Sequence, residues 1–331
     1  MSRRFVNLLV NKLSGRRPTF SLHRIDTAIL FCPTGSPKPA DPAAPARLPP
    51  AAVSFYPRNQ IGWMDFTALN DDVIAVDHEG RTLLYDGAVG AVRAMNPIIG
   101  PSFKDWFWYP LTPLRLNELD LLEDPRYNKY KLGLEQLDPF EVGAYTTVAG
   151  DSSDPWISTL PDVWISTVGA GTYSLHNAEW SKLGDWALPF RGRAHYVAEH
   201  GLWFGFSEKD QQLCAADLKQ QPPAPPLREF PLLHHWEEEE EERSLPLPES
   251  WTPTATSLFP LGSGKLCIAR CFRATNGEKL LPSEYMHEKA SKSFAVLSGV
   301  EFVEDAGKGS LQIIKHNSVC YGIGENVVKP L

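Results

Sequence analysis

Few residues in this chain are suited to chemistry, and their spacing argues against most of what they could do. Cys267 and Cys271 stand four apart, with His234 and His235 upstream. Thiols and imidazoles are zinc ligands. In a strand, that spacing puts both thiols on one face but about 13 Å apart, too far for one ion without a bulge or turn. Buried core cysteines are the better reading. Leu261-Gly-Ser-Gly-Lys-Leu266 has the look of a phosphate loop. Such a loop needs Gly at position 259 and Ser or Thr after the Lys, where this chain has Phe259 and Leu266. The segment reads instead as a β-turn entering a strand. His195 and His200 flank Tyr196 and Glu199 with neither metalloprotease nor triad spacing. His78, between Asp77 and Glu79, falls at a predicted turn, and no Gly-x-Ser-x-Gly elbow occurs. The reading is therefore no catalytic residue, no metal site and no cofactor.

The aromatic residues are more informative. Trp106, Trp108, Trp164, Trp180, Trp186 and Trp203 lie in or beside predicted strands, where core packing accounts for most of them. Trp, Tyr and Arg also dominate the energetics of protein interfaces. The segment from Trp186 to Tyr196 combines all three, with Trp186, Arg191, Arg193 and Tyr196 in a predicted loop between sheet units. These four residues are the candidate recognition surface for a protein partner.

The elements that must position them are short strands. Val73–Val76, a turn at Glu79-Gly80, Thr82–Tyr85 and an outer strand Ala91–Met95 make one copy of a recurring unit. Asp162–Leu175 continued by Trp180–Leu183 makes a second. Gly201–Phe206 with Gln212–Leu218 makes a third, and Gly264–Phe272 with Ser293–Phe302 a fourth. Val73 to Val163 is 90 residues, or two steps of about 45, Val163 to Leu202 is 39, and Leu202 to Leu266 is 64, one step plus the Pro/Glu insert, against a blade period of roughly 40–50. Two segments read as unpacked loops: 32–57, with eight Pro, and 219–253, with eight Pro and the run Glu237–Glu242. Pro cannot donate to a ladder, and adjacent like charges repel. Leu114–Leu137 has partly helical spacing interrupted by Pro125. Asp154-Pro-Trp-Ile-Ser-Thr-Leu160 nearly duplicates Asp162-Val-Trp-Ile-Ser-Thr-Val168 eight residues on, which keeps the same face and leaves the register open. Leu311–Ile314 and Ser318–Tyr321 are expected to close the ring with the N-terminal strand.

Bulk properties bound the setting. The chain has 331 residues, 43% of them hydrophobic, and a net charge of −8. An acidic balance makes a poor general nucleic-acid binder. Five Cys, an odd number, and the absence of any Asn-x-Ser/Thr sequon fit a reducing compartment. The apolar run Phe5–Val10 is too short for a secretory leader, and no run reaches the length of a membrane span. The expectation is a cytoplasmic or nuclear protein. The start itself has two readings. Arg3, Arg4, Lys12, Arg16, Arg17 and Arg24 all precede the first acidic residue, Asp26. That is a strand followed by a basic turn, or else an organelle import sequence.

Several stretches are distinctive together: Met1-Ser-Arg-Arg-Phe-Val-Asn-Leu8, Ser21-Leu-His-Arg-Ile-Asp26, Asp162-Val-Trp-Ile-Ser-Thr167, Gly171-Thr-Tyr-Ser174, Gly184-Asp-Trp-Ala-Leu-Pro-Phe190, Glu199-His-Gly-Leu-Trp-Phe-Gly-Phe206 and Val327-Val-Lys-Pro-Leu331. They resemble an uncharacterised plant family, expanded in grasses, known as domain of unknown function 1668. The resemblance spans nearly the whole chain. It implies a kelch-like or F-box-associated propeller and supplies no catalytic residue. The expected architecture is thus a single all-β domain over 1–331, an irregular β-propeller of about five to seven blades, with room for one degenerate blade between Met95 and Tyr145. The expected function is a non-enzymatic scaffold or adaptor for an unknown protein partner. The alternatives are an enzyme with its site at the propeller mouth, or a diverged paralogue with little retained activity.

Overall fold

Every side chain from Val6 to Val10 is buried, Asn7 included. A strand that reads as a continuous apolar run is one covered on both faces, and Phe5–Lys12 (β1) is such a strand. Alternate side chains enter two different cores. Val6, Leu8 and Val10 pack with Phe259, Cys267, Ala269, Ala295 and Leu297. Leu9 packs with Phe20, Leu22, Phe55, Phe66 and Val73.

The structure is a computed structural model that describes residues 3–12, 18–31, 38–58, 64–69, 71–77, 79–96, 142–148, 162–167, 169, 171–176, 179–208, 212–219, 227–229, 251–274, 292–304 and 311–331. Among these are twenty-one strands, β1–β21 in chain order, and no α-helix. The chain divides into two compact units, Met1–Leu116 with Trp236–Leu331, and Asn117–His235.

The first unit holds three sheets. In one, β1 pairs with Thr19–Asp26 (β2) and with Val327–Pro330 (β21), and β2 pairs with Val53–Phe55 (β4), all antiparallel. In the second, Trp251–Gly262 (β17), Lys265–Ala274 (β18), Lys292–Glu304 (β19) and Leu311–Gly324 (β20) follow each other as an antiparallel meander. Ala46–Arg47 (β3) adds a short parallel edge to β20. In the third, Met64–Leu69 (β5), Asp72–Asp77 (β6), Thr82–Asp86 (β7) and Ala91–Ala94 (β8) form another meander. The β1 sheet lies between the other two and shares a core with each.

The second unit is one eight-stranded sheet made of two such meanders. Val142–Val148 (β9), Asp162–Thr167 (β10), Gly171–His176 (β11) and Glu179–Gly184 (β12) form the first. Arg191–Val197 (β13), Leu202–Phe206 (β14), Leu213–Ala216 (β15) and Leu227–Glu229 (β16) form the second. They meet where β9 and β13 run parallel, Ala144 opposite Gly192 and Tyr145 opposite Arg193.

Local chemistry explains the turns. Between β6 and β7, Asp77 Oδ1 accepts from the Glu79 and Arg81 amides at 3.1 and 2.9 Å, and Gly80 takes a positive φ of 83°. This is an Asx-type turn at the place the sequence predicts. Between β17 and β18, Ser263 and Gly264 both have positive φ, 56° and 70°. Two such residues match the right-handed twist of a hairpin, so the loop with phosphate-binding looks is a strand-to-strand turn.

Four expectations change. The Trp186–Tyr196 segment is not all loop, because Arg191–Val197 is strand β13. Segment 32–57 is not unpacked where it is described: it supplies β3 and β4 and buries Ala40 and Phe55. Pro-rich chain serves here as sheet edge, where its missing donor costs nothing. Segment 219–253 likewise supplies β16 and the start of β17. The strand that joins β1 is Val327–Pro330, whereas residues 311–324 stay with β19. The helical spacing of 114–137, the first Trp-Ile-Ser-Thr copy, Trp106, Trp108, His78, His234, His235 and the Glu237–Glu242 run lie outside the described residues.

Cys267, Cys271 and Cys320 are buried and free. Burial pushes each thiol up to about 12 from an ordinary 9, and burial pushes Tyr321 up to about 12 from 10. The unfolded chain therefore loses these protons at a lower pH than the folded one. Stability is unaffected by them below pH 9 and declines as pH rises from there toward 12. Urea midpoints should be flat from pH 7 to about 8.5 and fall steadily above 9. A midpoint constant to pH 11 would show that these groups titrate alike in both states.

Candidate functional site

Strand β13 carries three of the four predicted recognition residues. Gly192 sits between Arg191 and Arg193 with φ of 69°, and the pairing with β14 shifts register between Arg191 and His195. A left-handed glycine at a register shift is the mark of a β-bulge. Arg191 and Arg193 are exposed, while Ala194 and Val197 on the same strand are buried. Tyr196 is 38% exposed. Its ring lies 4.6 Å from that of Trp203, and the Lys219 ammonium stands 5.5 Å from its centroid. Trp203 is buried and donates from its indole nitrogen to Thr147 O at 3.1 Å, so Tyr196 is an exposed ring on a rigid base. The register sets Arg191 opposite Phe206 and Arg193 opposite Tyr145 on one face of the sheet, and Tyr196 opposite Trp203 on the other, so the structure brings the two arginines together and separates them from the phenol. Two guanidinium groups side by side can hold carboxylates.

Trp186 is not part of that display. It packs edge-on against Trp164 at 6.1 Å, beside the core formed by Leu188, Phe190, Ala194 and Trp203. A hydroxyl chain fixes it there. Thr172 Oγ1 donates to Trp186 O at 2.6 Å, and the Leu188 amide donates to Ser166 Oγ at 2.6 Å. Ser166 Oγ and Thr172 Oγ1 are 2.7 Å apart. Because Thr172 spends its proton on Trp186 O, Ser166 is the donor between the two hydroxyls. The bonds thus run in one direction from Leu188 N–H to Trp186 O, an arrangement in which each bond strengthens the next. Both hydroxyls are buried. The Ser of Trp-Ile-Ser-Thr and the Thr of Gly-Thr-Tyr-Ser are therefore structural. Gly171, at φ of 98°, lies so close to Gly184 O that a Cβ would overlap it.

Sequence reasoning placed Trp186 with the arginines because they are neighbours in the chain. The strand signal in the segment is the alternation of polar Arg191, Arg193 and His195 with Gly192, Ala194 and Tyr196. Tyr196 was found, but its support was not: Trp203 and Lys219 come from elsewhere in the sequence.

The remaining candidates have structural places. Cys267 and Cys271 line the core shared with β1. Among the described residues, no group of three or more His, Cys, Asp and Glu side chains is placed to hold a metal ion. His200 lies edge-on to Phe204 at 6.1 Å. Among the described residues no helix is long and apolar enough to cross a membrane.

These features define a class: among the described residues, an all-β protein built from antiparallel meanders. The family described as "Protein of unknown function (DUF1668)" matches residues 3–104 and 94–321, and the chain belongs to that family. A search of the curated proteins finds no match.

Proposed function

We propose that the chain is a kelch-like β-propeller that serves as a non-enzymatic binding module, presenting the exposed residues of β13 to an acidic surface on a protein partner. Five runs of strands among the described residues support the propeller reading. Four are consecutive meanders of four, and in the fifth the C-terminal β21 pairs with the N-terminal β1. Blades of a propeller are meanders of this kind, and joining the two termini in one blade is a natural way to close a ring. The parallel contact of β9 with β13 is what the first strands of neighbouring blades would make. The observation that carries the binding role is Arg191 and Arg193 exposed on the same face of one strand. Two exposed arginines on one face of a rigid strand suit an acidic partner surface, since Arg is enriched among interface anchors.

The test is proximity labelling in cells that express the protein, followed by capture of the labelled partner with purified wild-type chain and with Arg191→Ala/Arg193→Ala. The double variant should retain its thermal midpoint, since both side chains are exposed, and recover at least tenfold less partner. Equal recovery by both proteins would remove this surface from the reading.

A further inference from the structure

Asn7 is the one polar residue in the buried run Val6–Val10, and it is 1% exposed. Both polar atoms of its side-chain amide are shut off from solvent, and neither has a hydrogen-bond partner among the described residues. Leaving a buried donor and acceptor unmade is costly, and in native proteins such groups are nearly all met by protein or by ordered water. We infer that Asn7 anchors an internal water site between the β1 sheet and the β5–β8 sheet, with Arg24 as its second polar partner.

The register locates the site. Side chains alternate along a strand, so Asn7 shares a face with Leu9, and the β5–β8 sheet covers that face. Ala68, Val73 and Ala75, among the side chains that cover it, are small. Arg24 of β2 stands directly opposite Asn7. Its Nε is likewise buried and without a partner among the described residues. The rest of its guanidinium is held: Nη1 donates to Gly87 O at 2.6 Å, and the group lies 4.3 Å from the centroid of the Phe5 ring. Side chains at facing positions of antiparallel strands start about 5 Å apart, a gap that one water bridges.

The unmet groups select water over an ion. Asn7 Nδ2 and Arg24 Nε need an acceptor, and Asn7 Oδ1 needs a donor. Water supplies both. An anion has no proton to give Asn7 Oδ1, and acids already stand near the Arg24 charge. The Gly87 amide donates to Asp72 Oδ1 at 2.8 Å, and a Cβ on Gly87 would overlap Asp71 O. Asp71 Oδ1 is itself buried without a partner among the described residues. A cation would stand beside the Arg24 guanidinium and be repelled. A polar site with several groups to satisfy holds water, whereas an apolar one stays dry.

The test is a crystal structure of the full chain at a resolution that shows ordered water, grown with bromide as the halide. A water oxygen should lie within about 3.2 Å of an Asn7 amide atom and of Arg24 Nε, with no anomalous bromide signal there. In solution, relaxation dispersion of oxygen-17 water should count at least one long-lived water fewer in Asn7→Leu than in wild type. The inference falls if the Asn7 amide meets only apolar atoms or bonds directly to a protein group. It also falls if bromide occupies the site, or if wild type and Asn7→Leu hold the same number of long-lived waters. The crystal structure decides the matter by itself should Asn7→Leu fail to fold.

Discussion

Deleting Val327–Leu331 should lower the thermal midpoint of the first unit by about 10–20 °C. The segment is held by backbone pairing and by two buried side chains. Strand β21 pairs with β1 from Leu8 opposite Pro330 to Asn11 opposite Val327. The Leu331 amide donates to Asn7 O at 2.9 Å, and Arg3 donates to Leu331 O at 3.0 Å. Val328 enters the core between the β1 sheet and the β17–β20 sheet. Leu331 enters the core on the other face of β1. Burying one such side chain is worth about 1.5–3 kcal/mol, so the pair accounts for about 3–6 kcal/mol before any backbone hydrogen bond. The deletion also uncovers the edge of β1, and an open apolar edge invites aggregation. Lys329→Ala removes an exposed side chain from the same strand and should shift the midpoint by less than about 2 °C. A truncated chain that melts with the full-length one would show that β21 adds nothing to the β1 sheet.

Thr172→Val should destabilise the second unit by about 2–4 kcal/mol, although the two side chains have nearly the same shape. Valine can neither donate to Trp186 O nor accept from Ser166 Oγ. Two buried polar groups then lose a partner, at about 1–3 kcal/mol each. Ser166→Ala leaves the Leu188 amide without its acceptor and should cost a similar amount. The informative measurement is the double variant. If the hydroxyls work as one chain, its destabilisation will fall short of the sum of the single losses by about 1 kcal/mol or more. Urea unfolding followed by near-ultraviolet circular dichroism reads the effect, since the edge-on pair of Trp164 and Trp186 supplies a signal from this region. Strict additivity would mean that the two bonds are independent and that no relay exists.

Both results bear on what the family's distinctive stretches are for. Trp-Ile-Ser-Thr, Gly-Thr-Tyr-Ser and the Trp186–Phe190 segment meet around one hydroxyl chain and one aromatic pair. Their specificity as sequence is accounted for by the accuracy that a buried polar chain demands. It does not require a ligand. Arg191 and Arg193 on β13, in contrast, are exposed.

Strand positions were legible because they depend on local pattern. Val73–Val76, Thr82–Tyr85, the Asp162 and Leu202 strands and the Lys265 strand all announce themselves through apolar alternation or β-branched runs bounded by Gly and Asp, and each is a strand in the structure. The core role of Cys267 and Cys271 followed from spacing alone. Partnership between distant segments was not legible. Nothing near Ala46 or Val53 says that a Pro-rich stretch will edge two sheets, since a two- or three-residue strand takes its stability from the strand it joins and carries no periodicity of its own. The choice of Val327–Pro330 over Leu311–Ile314 as the neighbour of β1 likewise rests on which side chains fill the two cores at once. Trp186 and Arg191 are five residues apart and read as one surface in the sequence, yet a hydrogen bond from Thr172 to the Trp186 carbonyl helps hold the first half-buried against the core, while the second is exposed beside a bulge at Gly192. Alternation along a strand is set by neighbouring residues, whereas the inward or outward assignment of a face is set by whatever packs against it.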